Sequence, residues 1–569
     1  MIYLVGKEKW MEVFNRMTEV GENVKKPQIM TKNTFSSRCS SVVDDMIGLC
    51  VFILMTVFPL LYANAYTDIM DVKYICYYQT VIGMLVLLLA AVLIMMAMDY
   101  KKYKGEHTKK LIGSLLPKNW KRTFFVSDIA AVLFLIATAV STLCSDYFYE
   151  SFWGNEGRYS GMFLLSLYVI SYLIISRFWK PKGWLMELFL VTGMIMCVIG
   201  ITDYFRMDVL NFRGPDVPLE ESDIFTSTIG NINYYTAYVG MIMGFCAALF
   251  LTAKKRWQVM WYYGCMIISF FAIIMGCSDN AYLALAAMFG LLPFAVFQDR
   301  QCVKRYLVML ATFFTVVLCI DKINQVFGDT VIGLDSLFGV ITSFGGLVYA
   351  VILLWVVAAG FWFYDRKKSA AGKKCGNGFV YAWGGFSLLV LLAFAFVVYD
   401  ANIGGHADRY GAARNYLVFS RSWGSERGYI WGASMKLYQE FSWVKKLFGY
   451  GPDTFGILTT SNIIYEMTRI TGKLYDCAHN EYLHYLLTVG IVGTAAYVTF
   501  LGASIGCMWK NWKKNPYIIG ALTAVLCYAF QAIINNSLPL TTPMMWLLLS
   551  IGVAGCRRAQ EAVADREEL

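Results

Sequence analysis

A chain of 569 residues that is 58% hydrophobic and 16% aromatic, with 15% charged residues, is too poor in charge for a soluble globular protein, where about a quarter of residues are charged. Its 49 Lys and Arg against 39 Asp and Glu give a net charge of +10, but they lie in short loops between apolar runs, a topology pattern and not a nucleic-acid surface. The 15 cysteines make no disulfide framework in so long a chain, and no His or Cys cluster has metal-ligand spacing, so no metal or other cofactor is expected.

Residues 1–40 are mostly polar and do not read as a cleavable signal peptide. Within them Trp10, Val13, Phe14 and Met17 fall at helical spacing beside Lys7, Lys9 and Arg16. This suits a short helix lying on the inner membrane surface; a partner-binding helix fits as well. Apolar runs long enough to span about 30 Å of hydrocarbon then recur to the C-terminus. They place spans near 44–65, 74–98, 127–145, 161–178, 184–205, 233–253, 257–276, 280–297, 305–320, 340–364, 380–400, 480–508, 516–535 and 540–556. The expected fold is all-α: a polytopic transmembrane bundle of about 12–14 spans with a long extracytoplasmic loop carrying short helices. The divisions are a cytoplasmic segment 1–41, a bundle 42–400, a loop 401–479, and C-terminal spans with a tail 480–569.

The loops alternate in charge. Basic groups follow the second span (101–122) and recur at Arg177, Lys180 and Lys182, at Lys254, Lys255 and Arg256, and at Arg300, Lys304 and Arg305. Further ones stand at Arg366, Lys367, Lys368, Lys373 and Lys374, at Lys510, Lys513 and Lys514, and at Arg557 and Arg558. The positive-inside rule makes these loops and both termini cytoplasmic. The alternate loops, facing outward, hold the Gly, Asn and Arg clusters.

The loop 401–479 is the one long polar segment, with Arg409, Arg414, Arg421, Arg427 and Arg469 in it. Ser425 is expected to cap a helix running to about Phe441. Trp431, Ser434, Met435, Tyr438 and Phe441 repeat along it as a covering face, with Arg427 a turn before Trp431 on the same side. The turn Gly449-Tyr450-Gly451-Pro452 lets backbone N–H groups approach an anion, although such a turn is more often ordinary. His479-Asn480 opens the next span. Its imidazole can exchange a proton near neutral pH, and Asp476 stands where it can orient the ring. His484 reads as a buried hydrogen-bonding group. Elsewhere Arg158 divides between lipid headgroups and substrate, Asn231 and Asn233 cap a helix from Tyr234, and Asp279 caps the helix at 280–297 more readily than it acts as a base. Cys477 is a lone thiol with no motif to make it a nucleophile.

Taken in order, Gly-Asn-Glu-Gly-Arg (154–158), Gly-Asn-Ile-Asn (230–233), Arg427 with Trp431, Leu-Phe-Gly-Tyr-Gly-Pro-Asp-Thr-Phe (447–455), His-Asn-Glu-Tyr-Leu (479–483) and Gly-Ile-Val-Gly (490–493) resemble the O-antigen ligase and polymerase superfamily. The resemblance spans most of the chain. It implies a bacterial, metal-independent, GT-C-like glycosyltransferase of the cytoplasmic membrane. Such an enzyme takes a glycan from an undecaprenyl-diphosphate carrier at the outer face and joins it to a hydroxyl of a glycan, lipid or protein acceptor. Carried over by motif, Arg427 binds the diphosphate and His479 serves the acceptor or the reacting centre. Arg158, Arg414, Arg421, Asn480, Asp476, Tyr450 and Trp431 are the further substrate-binding candidates. Where many members have Ser-Arg, this chain has Ser278-Asp279-Asn280, so a second arginine on the diphosphate has to come from Arg158, Arg421 or Arg414, or is absent. The residue types fit the chemistry independently, since guanidinium groups fork onto phosphate oxygens and stabilise the departing charge. A lipid-linked oligosaccharide flippase fits less well, because the span interiors are almost free of charge and no repeat is evident. Polymerase, ligase and protein O-oligosaccharyltransferase share these motifs.

Overall fold

Hydrocarbon offers a backbone no water to bond, so apolar runs of this kind close their hydrogen bonds within helices. The computed structural model describes residues 32–567 apart from 65, 115–123, 212–221, 335 and 368–375. The helix expected around Trp10 to Met17 lies outside the described residues, as do Lys368, Lys373 and Lys374. The longer helices are α1 (Lys32–Phe52, prolonged through a π turn at Ile53–Val57), α2 (Ile69–Tyr103), α3 (Val126–Leu143), α4 (Met162–Phe178), α5 (Gly183–Tyr204) and α6 (Ile232–Thr252). They continue as α7 (Arg256–Met275), α8 (Asn280–Val296), α9 (Arg300–Phe327), α10 (Leu347–Lys367) and α11 (Gly378–Asn402). Beyond these come α12 (Trp423–Glu440), α13 (Phe455–Thr471), α14 (Glu481–Thr488), α15 (Gly490–Asn511), α16 (Pro516–Gln531) and α17 (Thr542–Glu567). The only sheet among the described residues pairs Phe225–Thr226 with Gly230–Asn231.

The chain is thus a polytopic helical membrane protein, and the fourteen expected spans fall on helices, two of them on helix pairs. By length and apolarity 10 of the described helices can cross a bilayer, while α4, α8 and α16 are shorter apolar helices. Burial separates core from periphery: 94% of the most apolar window of α6 is buried against 0% of that of α11. Helix α6 is therefore the axis of the bundle, packed on α16, α7 and α8, and α11 faces lipid. A second knot joins α4, α15 and α17, where Trp546 stacks on Phe500 at 4.6 Å and on Tyr168 at 5.7 Å.

The two ends of the bundle differ as the loop charges require. At one, Lys182 Nζ lies 3.2 Å from Asp44 and 2.8 Å from Asp45, Arg558 Nε donates to the Trp179 carbonyl at 3.4 Å, and Lys513 donates to Gln298 at 2.7 Å. The Asn- and Gly-rich loops and the segment 403–480 gather at the other. That segment is folded, with small apolar clusters of its own around Leu437, Phe455 and Leu458, and around Tyr429, Ile430 and Met467.

Four local readings are corrected. The span 480–508 is broken: α14 ends at Thr488 and α15 starts at Gly490, whose φ is +70°. The run 340–364 is likewise two helices, Ser336–Thr342 and α10. Helix α6 starts at Ile232 and not at Tyr234, with Asn231 as its cap accepting from the Asn233 N–H. Ser425 caps nothing, because Gly424, Ser425 and Glu426 are left-handed (φ 61°, 54° and 70°) and regular helix begins after them. The buried face of α12 is accordingly rotated to Tyr429, Ile430, Ser434 and Leu437, while Met435 is 40% exposed.

The α14–α15 break is held by the turn expected to cradle an anion. The Tyr450 and Gly451 N–H groups donate to the Leu487 and Thr488 carbonyls, both at 2.9 Å, so they are used on the helix end. A Cβ on Gly490 would stand 2.3 Å from the Leu447 carbonyl oxygen, and one on Gly449 2.3 Å from the Thr488 carbonyl. Replacing Gly490 with Ala should therefore cost about 1–3 kcal/mol in backbone strain alone and lower the melting temperature in detergent. Gly506 lies in the same helix, and a Cβ added there would meet nothing within 4 Å, so it should accept Ala without loss.

Candidate active site

Every functional side chain here is set by a helix start. Asn233 stands in the first turn of α6, and Ser278, Asp279 and Asn280 lead into α8. Arg427 follows the left-handed entry to α12, and His479 (φ +47°) precedes Asn480, the cap of α14. A helix start concentrates free N–H groups and positive partial charge, so four of them at one end make a surface suited to an anion.

A cavity of about 630 Å³ opens among them, lined by residues including Asn233, Ser278, Asp279, Asn280, Ser425, Arg427, Lys473, Tyr475 and His479. Arg427 and His479 therefore share one site. The Arg427 guanidinium donates through Nε to the Ile534 carbonyl at 3.2 Å and through Nη1 to the Gly424 carbonyl at 2.7 Å. The left-handed turn at 424–426 is what brings that second carbonyl back onto the side chain. No carboxylate pairs with Arg427 among the described residues, so its charge is held in place without being neutralised. The Asn233 amide oxygen accepts from Ser278 at 2.7 Å and from Asn280 at 3.2 Å, so the capacity that remains to this lining residue is that of its NH₂ donors.

Burial and the Arg427 charge push the His479 pKa down to about 4, against the pull of Asp476. Its ring packs edge-on to Tyr475 at 5.6 Å, and the Tyr475 hydroxyl bonds Glu426. Asp476 does not serve as the imidazole's hydrogen-bond orienter. Its carboxylate takes Arg158 Nη1 at 3.2 Å, and although burial opposes ionisation, Arg158 holds its pKa below the ordinary range.

Arg158 is buried between two acids, with Nε 3.2 Å from Asp453. Asp453 also accepts the Asn155 N–H at 2.8 Å and the Ser160 N–H at 3.2 Å. This cluster ties the early outer loop to the Gly-Pro-Asp turn and to the strand-like run before His479, behind the cavity and not in its lining. Trp431 supports the same run, its Nε1 donating to the Ala478 carbonyl at 3.0 Å. The Asn480 side chain accepts the Leu483 N–H at 3.0 Å, and Tyr450 carries Lys445 Nζ over its ring at 3.9 Å. Arg414 pairs with Asp408, and Arg421 lies in a separate groove with Tyr429 and Lys436.

Two further residues take positions different from those read in the sequence. His484 is buried with Nδ1 lacking a partner among the described residues, so the hydrogen bond expected of it is absent at that atom. Asp279 makes no capping hydrogen bond. Burial drives the Cys477 thiol up to about 11, which keeps it protonated. Lys473 and Tyr475 were not singled out in the sequence, although both fall within six residues of His479; Asn233 and Asp279 were read first as helix caps, with a sugar or phosphate contact for Asn233 and a base role for Asp279 as the less favoured alternatives.

The fold and this cavity define a class: a membrane-embedded helical protein with a polar, cation-bearing chamber at one end of its bundle. Residues 331–498 match the Wzy_C family model, described as O-antigen ligase, the family that the motifs resemble. The matched segment holds Arg427, Lys473, Tyr475 and His479, whereas Asn233 and Ser278 to Tyr282 lie outside it. No curated protein matches the chain.

An imidazole this suppressed should titrate near pH 4 in the His479 difference spectrum between the wild-type protein and its His479→Gln variant. Removing the neighbouring like charge with Arg427→Met should move that midpoint upward, toward the ordinary value of about 6.5.

Proposed function

We propose that the protein transfers a glycan from an undecaprenyl-diphosphate carrier to an acceptor hydroxyl at the outer face of the bacterial cytoplasmic membrane. The domain match supports an O-antigen ligase-like role in polysaccharide assembly; the donor, the face and the chemistry are our reading of the cavity. The observation that carries it is the Arg427 guanidinium, fixed by two backbone carbonyls and ion-paired with no acid among the described residues, in one chamber with His479. A planar fork of this kind grips diphosphate oxygens. Beside low-dielectric lipid it stabilises the charge that grows as the sugar–phosphate bond breaks. Lys473 and the Asn233 amide supply additional donors to the same anion.

His479 stands at the reacting centre. It is neutral in the free protein because burial and the Arg427 charge disfavour its proton. A bound diphosphate reverses the local sign and raises its proton affinity, letting the ring donate to the departing phosphate. Fixed charges carry each step, so the reaction as proposed needs no metal. The carrier's prenyl chain remains in the bilayer, both termini are cytoplasmic, and the segment 401–479 is the outer catalytic loop.

The test is purified protein in nanodiscs with undecaprenyl diphosphate as ligand and membrane-extracted lipid-linked glycans as substrate, with and without chelator. Replacing Arg427 with Ala should weaken diphosphate binding and lower turnover by about 100-fold, near 3 kcal/mol of barrier. Arg427→Lys should recover only part, having lost the fork. Diphosphate affinity unchanged in Arg427→Ala, or turnover abolished by chelator, would reject the assignment.

A further inference from the structure

The anion-binding wall accounts for half of the chamber. Its opposite chemistry comes from Asp279, at the start of α8, whose residue is exposed to the cavity. The carboxylate accepts the Tyr416 hydroxyl at Oδ2, 3.1 Å away, and a backbone N–H of Leu337 also reaches it. Two donors on a group with about four acceptor sites leave lone pairs for another partner. It forms no ion pair among the described residues, since the nearest cation, Arg427, is occupied by carbonyls and acts on it only at a distance. Nor does Asp279 serve the helix it begins. A carboxylate with this little structural employment, in the same chamber as a fixed guanidinium, is unexplained by donor binding, which it opposes.

Resting on the function proposed above, we infer that Asp279 is the catalytic base, taking the proton of the acceptor hydroxyl. The acceptor O–H bond breaks as its oxygen bonds to the sugar carbon, and the proton passes to the Asp279 carboxylate. The bond from that carbon to the diphosphate oxygen breaks, and its electron pair leaves with the diphosphate on Arg427. His479 is poorly placed for the same proton, because the Arg427 charge beside it disfavours the imidazolium before the donor binds and the diphosphate claims it afterwards. Burial raises the pKa of Asp279, opposed by the Tyr416 bond, the Leu337 N–H and the Arg427 charge, which makes it a better proton acceptor than an ordinary surface carboxylate. The other ionisable groups around it are Tyr282 on α8 and, in the lining, Cys277 from the link before α8, Lys473, Tyr475 and His479.

The experiment uses the full-length protein in nanodiscs, with lipid-linked glycans extracted from the membranes of the cells that make it and undecaprenyl diphosphate as a binding probe. Asp279→Asn should reduce transfer by about 100-fold or more while diphosphate affinity stays within about threefold of wild type. The acid limb of the pH–rate profile should disappear in that variant. Asp279→Glu should restore part of the rate, and formate added to Asp279→Ala should restore some as an external base. Transfer by Asp279→Asn within about threefold of wild type, or loss of diphosphate affinity in step with turnover, would overturn the inference while leaving the function standing. A wild-type protein that inserts and folds but makes no product from these donors would overturn both.

Discussion

A guanidinium at the edge of hydrocarbon must be compensated or used. Charges removed from water are ordinarily paired with an opposite charge, as Arg158 is with Asp453 and Asp476. Arg427 is treated differently: two carbonyls fix its direction and none of its charge is cancelled. The surrounding architecture follows from that requirement. The left-handed entry to α12 supplies one carbonyl, the loop after α16 supplies the other, and the field they leave in place adds to burial in lowering the His479 pKa.

The cluster around Arg158 performs the complementary task. It is an electrostatic unit, a buried Arg158 between a buried Asp453 and an exposed Asp476, that joins three stretches distant in sequence. Because Asp476 and Ala478 are both held, by Arg158 and by Trp431, the backbone reaching His479 has little freedom. One arginine thus ties three stretches together while another is left with no ion pair among the described residues. Their roles are separated by the presence or absence of carboxylates, a distinction invisible in arginine counts.

Most of the bundle was legible in the sequence because a bilayer enforces long apolar runs and charged loops, and the expected spans fall on helices, two of them on helix pairs. The break at Gly490 was not, since an apolar run continues through it and only contact with the Leu447 carbonyl makes the interruption necessary. At the cavity, Arg427 and His479 were legible by motif, and their meeting in one chamber agrees with that reading. Arg158 and Asp476 were legible as polar outer residues but not as partners, since they lie more than three hundred residues apart and nothing local encodes the pairing. Asp279 and Asn233 looked like ordinary helix starts. The long loop's helix was anticipated, but its starting turn and buried face were not, because three consecutive left-handed residues respond to tertiary contacts and not to propensity.

The chamber's two sides are encoded in different parts of the gene product: the cationic side in the segment that matches the ligase domain, the acidic and amide side in α6 and α8, outside it. Grafting the matched segment alone into a related scaffold would carry over Arg427, Lys473, Tyr475 and His479 and leave the α6 and α8 lining behind. Chimeras of that design would split the chamber's lining between two parents, so the natural boundary for engineering runs through the middle of the chamber and not around it.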